Sequence, residues 1–230
     1  MADSKSEIAA DARSLKELDA GIARCRGCRL WERATQAVYG EGGAKVSVML
    51  VGEQPGDQED LTGKPFVGPA GKVLDEALEK AGVDRKEVYV TNAVKHFSWE
   101  PRGKRRMHKT PAQQEVAACL DWLLGEIRLI TPRLIVCLGG TAVRALLGPK
   151  VKVLANRGKF FDSEWGPKIL VTVHPSSILR VPPEDRAQAF KLLVKDLARI
   201  RDLQASAIPN RGWRRRRRPI HARLTRRLRL

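Results

Sequence analysis

The sequence predicts an α/β fold, a three-layer αβα sandwich on a mainly parallel sheet. Two observations carry this. Four short apolar runs rich in β-branched residues occur at 46–51, 88–91, 134–138 and 169–173, and stretches with helical spacing lie between them. A run that is apolar at every position suits a strand buried on both faces, and strands joined by helices require crossovers that cover both sides of the sheet.

The elements follow in chain order. A helix is expected before the first run. Val73, Leu74, Ala77, Leu78 and Ala81 share one helical face after it. Val116, Cys119, Leu120, Leu123, Leu124 and Ile127 define a second amphipathic helix, residues 142–147 a third, and 184–203 a last one that closes the outer layer.

The chain has 230 residues, enough for one well-buried domain, which is placed at 1–204. A composition 43% hydrophobic and 30% charged excludes wholesale disorder. The net charge of +17 points to polyanionic partners, but it is unevenly placed. Ten arginines and no acid lie in 203–230, leaving +7 of the +17 to the rest, so 205–230 is expected to be a disordered basic tail. No apolar run approaches the ~20 residues needed to cross a bilayer, and the first residues are acidic and polar. A cytoplasmic, intracellular protein with no membrane partner is expected.

In such sheets ligands bind beyond the carboxyl ends of the strands. There the sequence offers Gly52-Glu-Gln-Pro-Gly-Asp57, then Asn92, then His174-Pro-Ser-Ser-Ile-Leu-Arg180. A phosphate-binding loop is excluded, because Gly71-Lys72 is followed by Val73 and the position five before Gly71 is Phe66. No dinucleotide-binding glycine pattern follows any of the runs.

Four cysteines stand at Cys25, Cys28, Cys119 and Cys137. The Cys-x-x-Cys pair with one thiol from a helix and one from a strand could surround a single metal centre, and spacing alone leaves zinc and an iron-sulfur cluster both open.

Gly52-Glu-Gln-Pro-Gly-Asp57, Gly63-Lys-Pro-Phe-Val-Gly-Pro-Ala-Gly71, Thr91-Asn92 and His174-Pro-Ser-Ser177, with the cysteines in this order, resemble the family 4 (iron-sulfur) uracil-DNA glycosylases over about residues 20–200. The segment Lys104-Arg-Arg-Met-His108 further resembles the Lys-Arg-Arg-Ile-His loop of the UdgX branch, which excises uracil and stays covalently joined to the DNA. Met107 replaces the usual isoleucine, trading a stiff side chain for a flexible one.

The resemblance implies the uracil-DNA glycosylase-like fold with a central four-stranded parallel sheet. It also implies a structural 4Fe-4S cluster on Cys25, Cys28, Cys119 and Cys137, a monomer, and uracil-containing DNA, single-stranded DNA included, as partner. Phe66 would stack on the flipped base and Asn92 would read its O4 and N3–H edge. Gln54, Gly56 and Asp57 would complete the base pocket. His174 would donate to uracil O2, Glu53 would face the sugar cation, and His108 would capture C1′. Lys104, Arg105, Arg106, Ser176 and Arg180 would hold the DNA, with Ile178 and Leu179 filling the space left by the base. Glu59 or Asp60 would narrow the pocket against the thymine methyl. His96 is expected to be structural. Two other functions fit the same residues: a turning-over glycosylase in which water captures the sugar, and a noncatalytic metal-stabilised nucleic-acid-binding module.

Overall fold

The computed structural model describes residues 2–205. The Arg-rich segment from 206 on, with His221, lies outside the described residues. Two helices, α1 (Ala2–Asp11) and α2 (Leu15–Ala23), precede the sheet. Ser14 caps α2 by accepting the Glu17 N–H at 3.2 Å.

The strands β1 (Val48–Gly52), β2 (Val88–Asn92), β5 (Leu134–Leu138) and β7 (Lys168–Thr172) form the expected parallel core of the sheet. The full order is β2-β1-β5-β7-β6, where β6 (Phe160–Asp162) pairs antiparallel with β7. The sheet therefore has five strands where four were expected. At three residues, β6 is too short for its own apolar pattern and is held by its neighbour.

Alternation along the strands divides the core. Val48 and Leu50 point to the layer of α4 (Pro69–Ala81), α8 (Pro175–Arg180) and α9 (Pro183–Ala205). Met49, Val51, Ile135 and Cys137 point to the layer of α5 (Gln113–Ile130) and α6 (Gly140–Leu147). Both faces are covered, so the strand carboxyl ends are the open edge. Two further short helices, α3 (Asp57–Thr62) and α7 (Val153–Asn156), sit in the connections on that edge.

The basic segment expected as a loop is a β-hairpin, β3 (Trp99–Arg102) with β4 (Arg105–His108), in which Trp99 pairs with His108. Gly103 takes φ +59° at its turn, where tight hairpins favour glycine. Its residues are nearly all exposed, so no apolar alternation announces it.

Candidate active site

A cavity of about 530 Å³ opens at the carboxyl ends of β1, β5 and β7. Glu53, His108, Gly139, His174, Ser176 and Arg180 are among its lining residues. Three separated chain segments thus bring the proposed reacting groups to one space. Phe66 and Asn92 do not line this cavity; they stand beside it, with the Phe66 ring stacked 6.1 Å from that of His174.

His174 ends the strand connection and caps α8. Its Nδ1 accepts the Ser176 N–H at 3.1 Å and lies 2.8 Å from Ser176 Oγ. An accepting Nδ1 puts the ring proton on Nε2, which fixes the tautomer. Burial, with His108 and Arg180 nearby, pushes its pKa down to about 4, so the ring is a neutral donor at pH 7.

Glu53 follows β1. Its Oε1 lies 3.4 Å from His108 Nε2, and its Oε2 accepts a short hydrogen bond from Thr141 Oγ1. Thr141 is a site residue that sequence reasoning missed. Gly139-Gly140-Thr141 follows a strand just as the other motifs do, and that position was its available signal.

The hairpin carrying His108 is pinned from below. Gln54 donates from Nε2 to the Ser98 and Lys109 carbonyls at 3.0 and 3.1 Å and accepts the Ser98 N–H at 2.9 Å. Its side chain therefore braces both ends of the hairpin and leaves only its backbone for a base. Arg106 pairs with Asp57 Oδ1 and with the fully buried Asp60 Oδ2, both at 2.6 Å. Its guanidinium also lies 5.5 Å over the Phe97 ring and 5.7 Å over the Trp99 ring. Arg106 is thus engaged as an anchor, as is Asp57, whereas Lys104 and Arg105 are exposed.

Phe66 and Asn92 meet over Gly52. A Cβ there would overlap Asn92 Oδ1 and fall 2.6 Å from Phe66 Cζ, so only glycine leaves room. Phe66 itself has φ +57°, rare for a bulky residue, and its carbonyl oxygen occupies the space of a Cβ at Gly71. Asn92 Oδ1 is buried without a hydrogen-bond partner. An orphaned acceptor of this kind costs free energy unless a ligand supplies a donor.

Other expectations place less well. Ile178 is buried in the core and cannot enter DNA, while Leu179 is exposed. Glu59 accepts the Gly68 N–H at 3.0 Å beside Gly56, and Asp60 is committed to Arg106 and to the Thr35 N–H. His96 is buried, and burial with Arg26 nearby lowers its pKa to about 4.

The four cysteines are free, and Cys25, Cys119 and Cys137 are buried. Cys28 hydrogen-bonds Cys119, and Cys25 lies close enough to act on it electrostatically; the Cys28 contact and burial raise the Cys119 thiol well above its usual range. Cys25 Sγ accepts from the Trp122 indole at 3.2 Å and from the Gly27 N–H at 3.4 Å. Cys137 packs among the α5 and α6 side chains, and burial alone raises its thiol. Among the described residues, no set of three or more His, Cys, Asp or Glu side chains closes around a point that would hold a metal ion. The donor chemistry fits a thiolate-ligated group at three of the four expected ligands, since Cys25, Cys28 and Cys119 gather at one corner with N–H groups aimed at them, whereas Cys137 stands apart, because its strand turns it into the core layer of α5 and α6.

Comparison with known proteins finds relatives that cover most of the chain. The chain is 41% identical over 160 residues to a type-4 uracil-DNA glycosylase of Thermotoga maritima, covering 69% of this chain and 80% of the relative. It is 39% identical over 179 residues to one of Pyrobaculum aerophilum, covering 75% and 86%. It is 36% identical over 193 residues to one of Saccharolobus solfataricus, covering 80% and 84%. Since residues 39–198, the span holding the sheet and every residue of this cavity, also match the uracil DNA glycosylase superfamily, the chain belongs to that superfamily.

Proposed function

We propose that this protein excises uracil from DNA and then joins itself to the resulting abasic sugar through His108. The relatives and the cavity support the excision. The observation that carries the covalent step is His108 Nε2 standing 3.4 Å from Glu53 Oε1, on a hairpin braced at both ends, across the cavity that His174 also lines.

The extruded base stacks on Phe66, and the Asn92 amide pairs with its O4 and N3–H edge, giving the buried Oδ1 the donor it lacks. As C1′–N1 breaks, the bonding pair moves onto uracil, chiefly at O2, where the Nε2–H of His174 stabilises it. Glu53 stabilises the oxocarbenium ion. The imidazole lone pair of His108 then forms a bond to C1′, and the proton leaving that ring passes to Glu53. The products are free uracil and a sugar-imidazole bond, so each chain acts once. Exposed Lys104, Arg105 and Arg180 meet phosphates, and Leu179 fills the vacated stack.

Cys25, Cys28 and Cys119 would supply three of the ligands of a 4Fe-4S cluster. Bound there it would supply a cross-link tying the N-terminal loop to α5, with no part in bond breaking. Brown colour and stoichiometric iron and sulfide after anaerobic purification test it.

A denaturing gel of the protein with uracil-containing single-stranded DNA tests the function. Wild type is expected to release one equivalent of uracil and to shift in the gel. His108→Gly is expected to release uracil without the shift, and a shift retained in that variant would remove His108 from the mechanism. One observation favours a second function, a turning-over glycosylase: the His108 side chain is 48% exposed, so water can reach the same face. Multiple turnovers by the wild type would select it.

A further inference from the structure

The mechanism leaves unused a pair of charges with no contact with solvent. Lys95 Nζ and Glu126 Oε2 lie 2.8 Å apart, and both side chains are 0% exposed. A buried ion pair is weak evidence for stability, because desolvation offsets most of the attraction and apolar replacements are often neutral. Another consequence of the pair is visible in its remaining bonds.

All three Lys95 donors are placed. Besides Glu126 they reach Thr91 Oγ1 at 2.7 Å and the backbone carbonyl of Asn92 at 2.9 Å. Glu126 is held in turn by Thr91 and by the Tyr89 phenol, whose proton is locked on by burial and by that carboxylate. The Lys95 backbone N–H hydrogen-bonds the Cys119 sulfur, and the Lys95 carbonyl accepts the Val38 N–H at 2.8 Å. Cys119 and Glu126 lie seven residues apart on one face of α5. Lys95 therefore grips that face at two points and, through its ammonium, the peptide of Asn92.

Asn92 cannot orient itself. Its Oδ1 has no partner in the protein, so the direction of its amide depends on its backbone and on the crowding over Gly52. Reading a base edge needs placement within about half an ångström.

We propose that Lys95 is a positioning residue for base recognition: its ammonium sets the Asn92 peptide, and Glu126 is the counter-charge that lets an ammonium sit at that depth. This rests on the role given above to Asn92. It makes the cysteine-bearing helix and the base-reading strand end one rigid unit.

A double-mutant cycle tests it. Lys95→Met with Glu126→Gln removes both charges, while the amide that replaces the carboxylate can still accept from Thr91 and Tyr89. Single-turnover uracil release from single-stranded DNA is measured for this variant, for Asn92→Ala, and for all three changes together, with thermal midpoint and visible spectrum followed in each. The charge-free variant is expected to release uracil about ten-fold more slowly, as for a lost hydrogen bond to a charged group. The triple variant is expected to be no slower than Asn92→Ala, because the two act through one contact. Losses that multiply, or an unchanged rate in the charge-free variant, overturn the proposal. Should that variant not fold, Lys95→Gln with Glu126→Gln decides, because an amide at 95 keeps an N–H for the Asn92 carbonyl with no buried charge left unpaired: a rate within about two-fold of wild type, or a loss that does not multiply with that of Asn92→Ala, supports the positioning role, and a loss that multiplies overturns it. A wild-type chain that releases no uracil would overturn the function and this role together; an active wild type with multiplying losses overturns only the role.

Discussion

Arg106 Nη1 lies 2.6 Å from Asp60 Oδ2, a carboxylate with no solvent exposure, and this contact fastens the hairpin of His108 to α3. A second carboxylate, Asp57, closes on Arg106 Nε at the same distance. Arginine suits the place because its planar fork serves both acids at once.

Arg106→Gln is therefore expected to separate the two chemical steps. Uracil release, which needs Glu53 and His174, stays within about three-fold of wild type, while adduct formation falls by about ten-fold or more because the imidazole is no longer held. Asp60, left without its partner, destabilises the fold by about 2 kcal/mol, between the values for exposed and buried pairs. Quench-flow uracil release, gel-shift rates and thermal melts check the three parts.

Thr141→Val removes the donor to Glu53 Oε2 with little change in shape. Loss of a hydrogen bond to a charged group costs about 1.5–3 kcal/mol, so the single-turnover rate is expected to drop about ten-fold or more. An unchanged rate with intact folding would show that Glu53 needs no orientation from α6.

The two low-pKa histidines give stability a defined pH dependence. His174 and His96 have folded pKa values pushed down to about 4, against an unfolded value near 6.5. Between those values the unfolded chain binds more protons, so stability is full above about pH 6.5 and is lost as pH falls toward 4. The thermal midpoint should decline across that window, and His96→Gln should flatten part of the decline. For His174, the same lowered pKa keeps the donor neutral throughout about pH 6–8, so uracil release should show no titration from it there.

Gly52→Ala and Gly71→Ala should fail in different ways. The new methyl at 52 meets the Asn92 and Phe66 side chains, which can yield, so uracil release falls while the fold survives. At 71 it would overlap the Phe66 carbonyl, backbone that cannot step aside, so the thermal midpoint falls first. Equal thermal midpoints for the two variants would contradict this distinction.

The four parallel strands were legible because each is buried on both faces, and that requirement writes itself as a continuous apolar run at 48–51, 88–91, 134–138 and 169–172. The main helices were legible from their spacing, and the motifs on the strand ends marked the open edge of the sheet. Local sequence thus determined the core, the layers and, among the residues around the cavity, Glu53, His108 and His174. It did not determine β6 or the hairpin, which are short, largely polar on the outside and held by distant partners: β7 for the first, Gln54, Asp57 and Asp60 for the second. Nor did it show that Arg106 anchors the hairpin, that Thr141 holds Glu53, or that Lys95 sits beneath Asn92. A side chain's charge is written in the sequence, but its partner is chosen by which segments the packed core brings within about 3 Å, and only the tertiary structure decides that.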